Sequence, residues 1–161
     1  MTPISMTVGG FLAAVLWFDL MFDVQVLGQP AGPLDPAVLD SITGYYQRVL
    51  IDASPMGRLV GLSMLVGWVS VGFQLKRREL TGPLGWLTAA LLFAPTLLAG
   101  VRIVPNAAQL AGRADSLSVQ SELARSICFD HLACLASIAL FLALQLLASA
   151  RRSHTEATAT A

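Results

Sequence analysis

The stretch ICFDHLACLASIALFLALQLLAS, Ile127 to Ser149, decides how this chain is read. After Asp130 and His131 it runs to Ala150 without another charged residue. An α-helix needs about 20 predominantly apolar residues to cross the hydrocarbon of a bilayer. Three other runs have the same character: Val8 to Leu27, Met56 to Leu75 (MGRLVGLSMLVGWVSVGFQL) and Pro83 to Val104 (PLGWLTAALLFAPTLLAGVRIV). Composition agrees. Only 12% of the 161 residues are charged, about half the fraction usual in a soluble domain, and mean hydropathy is +0.69. The expected fold is all-α, a four-transmembrane-helix bundle. Residues 1–150 form a single membrane domain, and the small polar stretch 151–161 is expected as a disordered cytoplasmic tail.

Ten basic and ten acidic residues leave no net charge and no long basic run, so nucleic acid is not an expected partner. Cys128 and Cys134 share one helical run and lie too far apart along its axis to bridge each other. The N-terminus, MTPISMTVGG, lacks the basic segment of a cleaved signal peptide, so the first span is expected to be retained.

Basic residues flanking the spans set the expected orientation. Lys76, Arg77 and Arg78 lie between spans two and three, and Arg151 and Arg152 follow span four. An even number of spans brings both groups to one side, which the positive-inside pattern makes cytoplasmic. Both termini are then cytoplasmic, and the short spans suit a bacterial inner membrane.

The two outer loops carry their own signals. Asp35 followed by Pro36 is a helix start. Val38, Ile42, Tyr45, Tyr46 and Val49 then recur on one helical face. A short amphipathic interfacial helix is therefore expected between spans one and two, its tyrosines suited to the membrane–water boundary. The segment from Ser116 is expected to run unbroken into span four, a helix roughly 50 Å long to Ala150. Gly57 with Gly61, Ser63 with Gly67 and Ala139 with Ala143 have the spacing that lets helices approach closely in lipid. Pro95 is expected to kink span three.

With the orientation set, the polar residues inside the spans sort by depth. WFDLMFDVQ, Trp17 to Gln25, places Asp19 near mid-membrane and Asp23 about 6 Å further out. Arg58 starts span two, Arg102 and Asn106 end span three, and Asp130 and His131 lie one turn into span four. The inner half holds only Ser70, Gln74, Thr88 and Gln145. Charges within the hydrocarbon are expensive, and they pair, face protein or mark a site. Asp19 and Asp23 share a face and would repel each other unless Arg58, Arg102 or His131 relieved them. Two readings stay open: a buried network that fixes helix register, and a pocket open to the outer side. In the second, His131 is the base or hydrogen-bond partner, Asp19 and Asp23 tune it, and Arg58, Arg102, Asn106, Asp130, Tyr45 and Tyr46 line the site. Cys128, His131 and Cys134 fall within one arc of a helix and have ligand types that suit copper or zinc. One helix cannot close a tetrahedral site, and Asp19 or Asp23 could complete it only by packing alongside, so no cofactor is expected and a metal at Cys128, His131 and Cys134 is the lesser alternative.

Four short spans, VPNAAQLAG after the third and a histidine opening HLACLASIALFLALQLL resemble the anthrone oxygenase-like family of small membrane proteins. The resemblance rests mainly on the C-terminal third. It implies a four-helix membrane fold, sites at Asn106 and His131, and, in members that are enzymes, oxidation of polycyclic aromatic substrates without metal or flavin. The residues support a protein that binds, and as an enzyme transforms, a small lipophilic molecule. The alternative is a non-enzymatic accessory or structural subunit held among membrane-protein partners or in a homo-oligomer. A proton or metal transporter is the third reading, and the lack of ionisable residues in the inner half argues against it.

Overall fold

The computed structural model of the protein describes residues 2–52, 54–78, 80 and 82–159, with side chains for 3–52, 55–78, 80 and 82–150. The chain is 90% helical, with no strand among the described residues. Its helices are α1 (Thr2–Asp23), α2 (Pro36–Gln47), α3 (Ser54–Lys76), α4 (Gly82–Leu98), α5 (Val104–Gly112) and α6 (Leu117–Ala159). Four rods are long and apolar enough to cross a membrane: Pro3–Gly28, Pro55–Lys76, Gly82–Gly112 and Leu117–Ala150. Consecutive rods pack side by side, and α6 closes the ring against α1. This is an up-and-down four-helix bundle. Exposed leucines and aromatics ring it, including Leu62, Leu65 and Phe73 on α3 and Phe93 and Leu97 on α4. A surface so apolar suits lipid and would be a liability in water.

The third rod is longer than expected and breaks elsewhere than at Pro95. Pro95 is buried inside an uninterrupted α4. The irregularity is a π turn at Ala99–Ile103, just before Pro105, which falls in the first turn of α5. In a regular helix the Pro105 ring would meet the carbonyl of Val101 and leave it without a donor. A wider turn relieves that crowding and lets the helix run on to Gly112. The expected helix from Ser116 into span four is present without a break, and its backbone continues to Ala159. The side chains of the tail, 151–161, lie outside the described residues.

Close approach between rods comes from glycines other than most of those singled out by spacing. A Cβ on Gly9 would sit 2.7 Å from Leu142 Cδ2 and 3.1 Å from Phe141 Cε1, so α1 and α6 touch through a bare backbone. Gly67 does the same against Val8 and Leu92. Gly57 and Gly61 meet nothing within 4 Å, and Ala139 and Ala143 are exposed. Gly9→Val should therefore overpack the α1–α6 seam and destabilise the bundle by about 1–3 kcal/mol. Gly61→Val should leave unfolding in mixed micelles within about 1 kcal/mol of wild type.

The short helix α2 forms as its sequence predicts. The Asp35 side chain accepts from the Ala37 amide at 2.8 Å, and Pro36 opens the helix. Its buried face is Leu39, Ile42, Thr43 and Tyr46, and these side chains are covered by protein. α2 lies against α5, α6 and α1 and closes one end of the bundle. Polar contacts lock it there. Gln47 donates to the Ala111 carbonyl at 3.0 Å, and Arg113 pairs with Asp40 at 2.8 Å and donates to Thr43 at 3.1 Å. The chain between α1 and α2 is held by Arg125 of α6. That guanidinium donates to the carbonyls of Val26, Pro30 and Gly32.

Candidate functional site: a histidine between two aspartates

Beneath α2, five side chains from three helices form one chain of polar contacts. α1 supplies Asp19 and Asp23, α2 supplies Tyr45 and Tyr46, and α6 supplies His131. Their spacing explains the arrangement. Residues four apart on α1 present both carboxylates on one face. Adjacent tyrosines on α2 diverge by about 100°, and each reaches a different carboxylate. The Tyr45 hydroxyl donates to Asp19 Oδ1 at 2.5 Å. The Tyr46 hydroxyl bridges both oxygens of Asp23, at 2.8 and 2.9 Å. His131 Nδ1 is 2.6 Å from Asp23 Oδ2, and its Nε2 is 3.7 Å from Asp19 Oδ2. Phe22 stacks on Tyr45 with ring centroids 4.2 Å apart and backs the array.

The two ends of this chain differ. Asp23 is 0% exposed, and its carboxylate has partners on both oxygens. The Asp19 side chain keeps 14% of its surface, and Tyr45 is only half-buried. With Nδ1 committed to Asp23, Nε2 is the ring nitrogen without a hydrogen bond within 3.5 Å among the described residues. A neutral His131 would donate from Nδ1 and turn the Nε2 lone pair toward Asp19. A protonated one would place its charge between two carboxylates. Both tyrosines are held as neutral donors, because burial and then the neighbouring carboxylates push their hydroxyls well above the usual range.

Several residues expected at this site lie elsewhere. Arg58 is exposed at the start of α3 and has no partner among the described residues. Arg102 lies in the π turn, which turns the helix register, and it reaches α6. There it donates to Ser126 at 3.0 Å and sits 3.3 Å from Asp130 Oδ2. No N–H points at that oxygen, so the pair is held by charge alone. Arg102 is also half-exposed, which limits what the pair contributes. Asn106 is partly buried and makes no hydrogen bond to the cluster. The relief that arginines were expected to bring comes from Tyr45 and Tyr46. Hydroxyls can satisfy a buried carboxylate without burying a second charge.

No group of three His, Cys, Asp or Glu side chains suited to a metal ion occurs among the described residues. Cys134 points its thiol at the Pro95 carbonyl, and Cys128 is fully buried. Two surface grooves lie away from the cluster. One, of about 290 Å³, is lined by Pro36, Leu39, Asp40, Arg113, Leu117 and Gln120. The other, of about 270 Å³, is lined by Val69, Gly72, Phe73 and Lys76. In the opposite half, polar residues that the sequence offers singly are joined. Gln145 donates to Gln74 at 2.9 Å, and Gln74 donates to Ser5 at 2.8 Å, tying α6, α3 and α1 together. Arg125 has carbonyl partners that the sequence does not signal, since they sit in a loop with no periodicity. The chain matches no family model, no curated protein and no solved structure.

Proposed function

We propose that this integral membrane protein binds a small lipophilic molecule bearing an acidic hydroxyl, such as a phenol, at the Asp19–Tyr45 edge of the cluster. His131 Nε2 takes or shares the hydroxyl proton. The observation that carries this reading is the pairing of His131 Nδ1 with a sealed Asp23, while Nε2 has no hydrogen bond among the described residues and lies 3.7 Å from a partly exposed Asp19. In the proton step the ligand O–H bond breaks and an Nε2–H bond forms. The resulting imidazolium lies between two carboxylates, and Tyr45 can donate to the ligand oxygen in place of Asp19. In this proposal both termini are cytoplasmic, the membrane is a bacterial inner membrane and the cluster lies in its outer half. The resemblance to the anthrone oxygenase-like family, in which the members that are enzymes oxidise polycyclic aromatics, fits the ligand class and the placing of His131. Asn106, the other residue of that resemblance, stands apart from the cluster.

A naphthol whose fluorescence distinguishes its neutral and anionic forms tests the proposal. The wild type in nanodiscs should bind it and raise the anion signal. Asp19→Asn and His131→Asn should weaken binding about tenfold or more, and Arg58→Gln should not. Equal binding by wild type and a folded His131→Asn protein would rule the reading out.

A second reading, a non-enzymatic accessory or structural subunit, is favoured by a different observation. Every carboxylate of the cluster has a partner, and neither groove opens on it. The network would then serve to clamp α2 across the bundle. Stable, stoichiometric membrane-protein partners retained by His131→Asn would favour this reading over the first.

A further inference from the structure

The groove on the outer face of α3 has an apolar wall and a cationic end. Val69, Gly72 and Phe73 line it, and Lys76 stands at the last turn of the helix. Gly72 is what opens it: a Cβ there would meet nothing within 4 Å. Lys76 begins a run of three exposed cations with Arg77 and Arg78, none paired with a carboxylate among the described residues. A tight turn holds that run in place. The Arg77 amide bonds back to the Phe73 carbonyl at 2.9 Å, and the Arg78 amide to that of Leu75 at 3.1 Å. Beyond the turn, Leu80 is buried, and a Cβ on Gly85 would come within 2.7 Å of Leu75 Cδ2. A lysine in the last turn also complements the helix dipole, but that alone would not call for a groove or for two further exposed cations.

We propose that this groove seats one acyl chain of an anionic phospholipid, with its phosphate at Lys76 and the neighbouring arginines. Charge complementarity identifies the occupant. A shallow apolar groove on a lipid-facing helix, ending at cations that pair with no carboxylate among the described residues, matches a lipid with an apolar tail and a negative headgroup. A zwitterionic lipid would gain the channel and little from the cations.

Native mass spectrometry of the full chain tests this, with phosphatidylglycerol and phosphatidylcholine of identical acyl chains as probes. Wild type should retain phosphatidylglycerol several-fold more than phosphatidylcholine. Lys76→Gln should cut that preference roughly five-fold and leave phosphatidylcholine adducts unchanged. Gly72→Leu fills the groove where there is room for the side chain, so it should keep the fold and lose adducts of both lipids. Equal retention of the two lipids by wild type would overturn the proposal. So would a folded Gly72→Leu that holds phosphatidylglycerol as before, since diffuse attraction to the cations would then be enough. A dimer that Gly72→Leu dissociates would also overturn it, by making a second copy the occupant.

Discussion

His131→Leu should destabilise the bundle by about 3–5 kcal/mol, the range for leaving a buried carboxylate without its partner. Asp23 is the reason. Its carboxylate is fully buried, and only Tyr46 would remain to serve it. The compensating experiment replaces the group as a unit. Leucines at Asp23 and His131, with Tyr46→Phe so that no hydroxyl is stranded, remove every charge and donor at the sealed end. Buried ion pairs replaced by apolar residues of similar volume are often neutral or stabilising. The triple variant should therefore recover most of the loss while Asp19 keeps Tyr45 as partner. Unfolding in mixed micelles, followed by helix signal, measures both. A His131→Leu protein within about 1 kcal/mol of wild type would mean that the pair contributes little. The triple variant also separates the two readings of function. A clamp needs only a well-packed α2 and would survive the exchange. A proton-accepting site would be lost with naphthol binding abolished and the fold intact.

The bundle was legible because its signal is redundant. Each rod states itself through about 20 apolar residues, and no single substitution among Leu132–Ala150 would hide span four. The cap of α2 was equally plain, since Asp35 and Pro36 act through contacts two residues apart. What failed to show was pairing across distance. Arginine and aspartate in neighbouring spans suggest a match by charge, yet depth says nothing of the angle around each helix. The π turn before Pro105 changes that angle for Arg102, and although the proline marks an irregularity there, it does not say how far the helix face turns. The tyrosines were visible as residues but ambiguous in role. A tyrosine at a membrane boundary anchors the interface as readily as it serves a carboxylate, and only the packing of α2 across the bundle end decides between these. His131 was one of three partners that depth and helical face offered to the two aspartates, beside Arg58 and Arg102, and of these the structure brings His131 to 2.6 Å from Asp23.

Tyr46→Phe should cost about 1.5–3 kcal/mol, the range for a hydrogen bond to a charged group, and Tyr45→Phe less. The two hydroxyls differ in setting: Tyr46 is 3% exposed and spans both oxygens of a sealed carboxylate, whereas Tyr45 and Asp19 can be replaced by water at their open edge. The pH dependence gives the prediction its sign. The Tyr46 hydroxyl is raised above an ordinary value near 10 by burial first and then by Asp23 and Asp19. Its folded form thus holds the proton more tightly than its unfolded form. The stability it contributes is complete below about pH 10 and falls as pH rises beyond it, since only the unfolded chain then releases the proton. Wild type should lose stability on the alkaline side, and Tyr46→Phe should start lower at neutral pH but fall less steeply above pH 10. Parallel curves for the two proteins would show that the hydroxyl does not stay protonated against Asp23, and the case for α2 being held by neutral donors on a charged carboxylate would go with it.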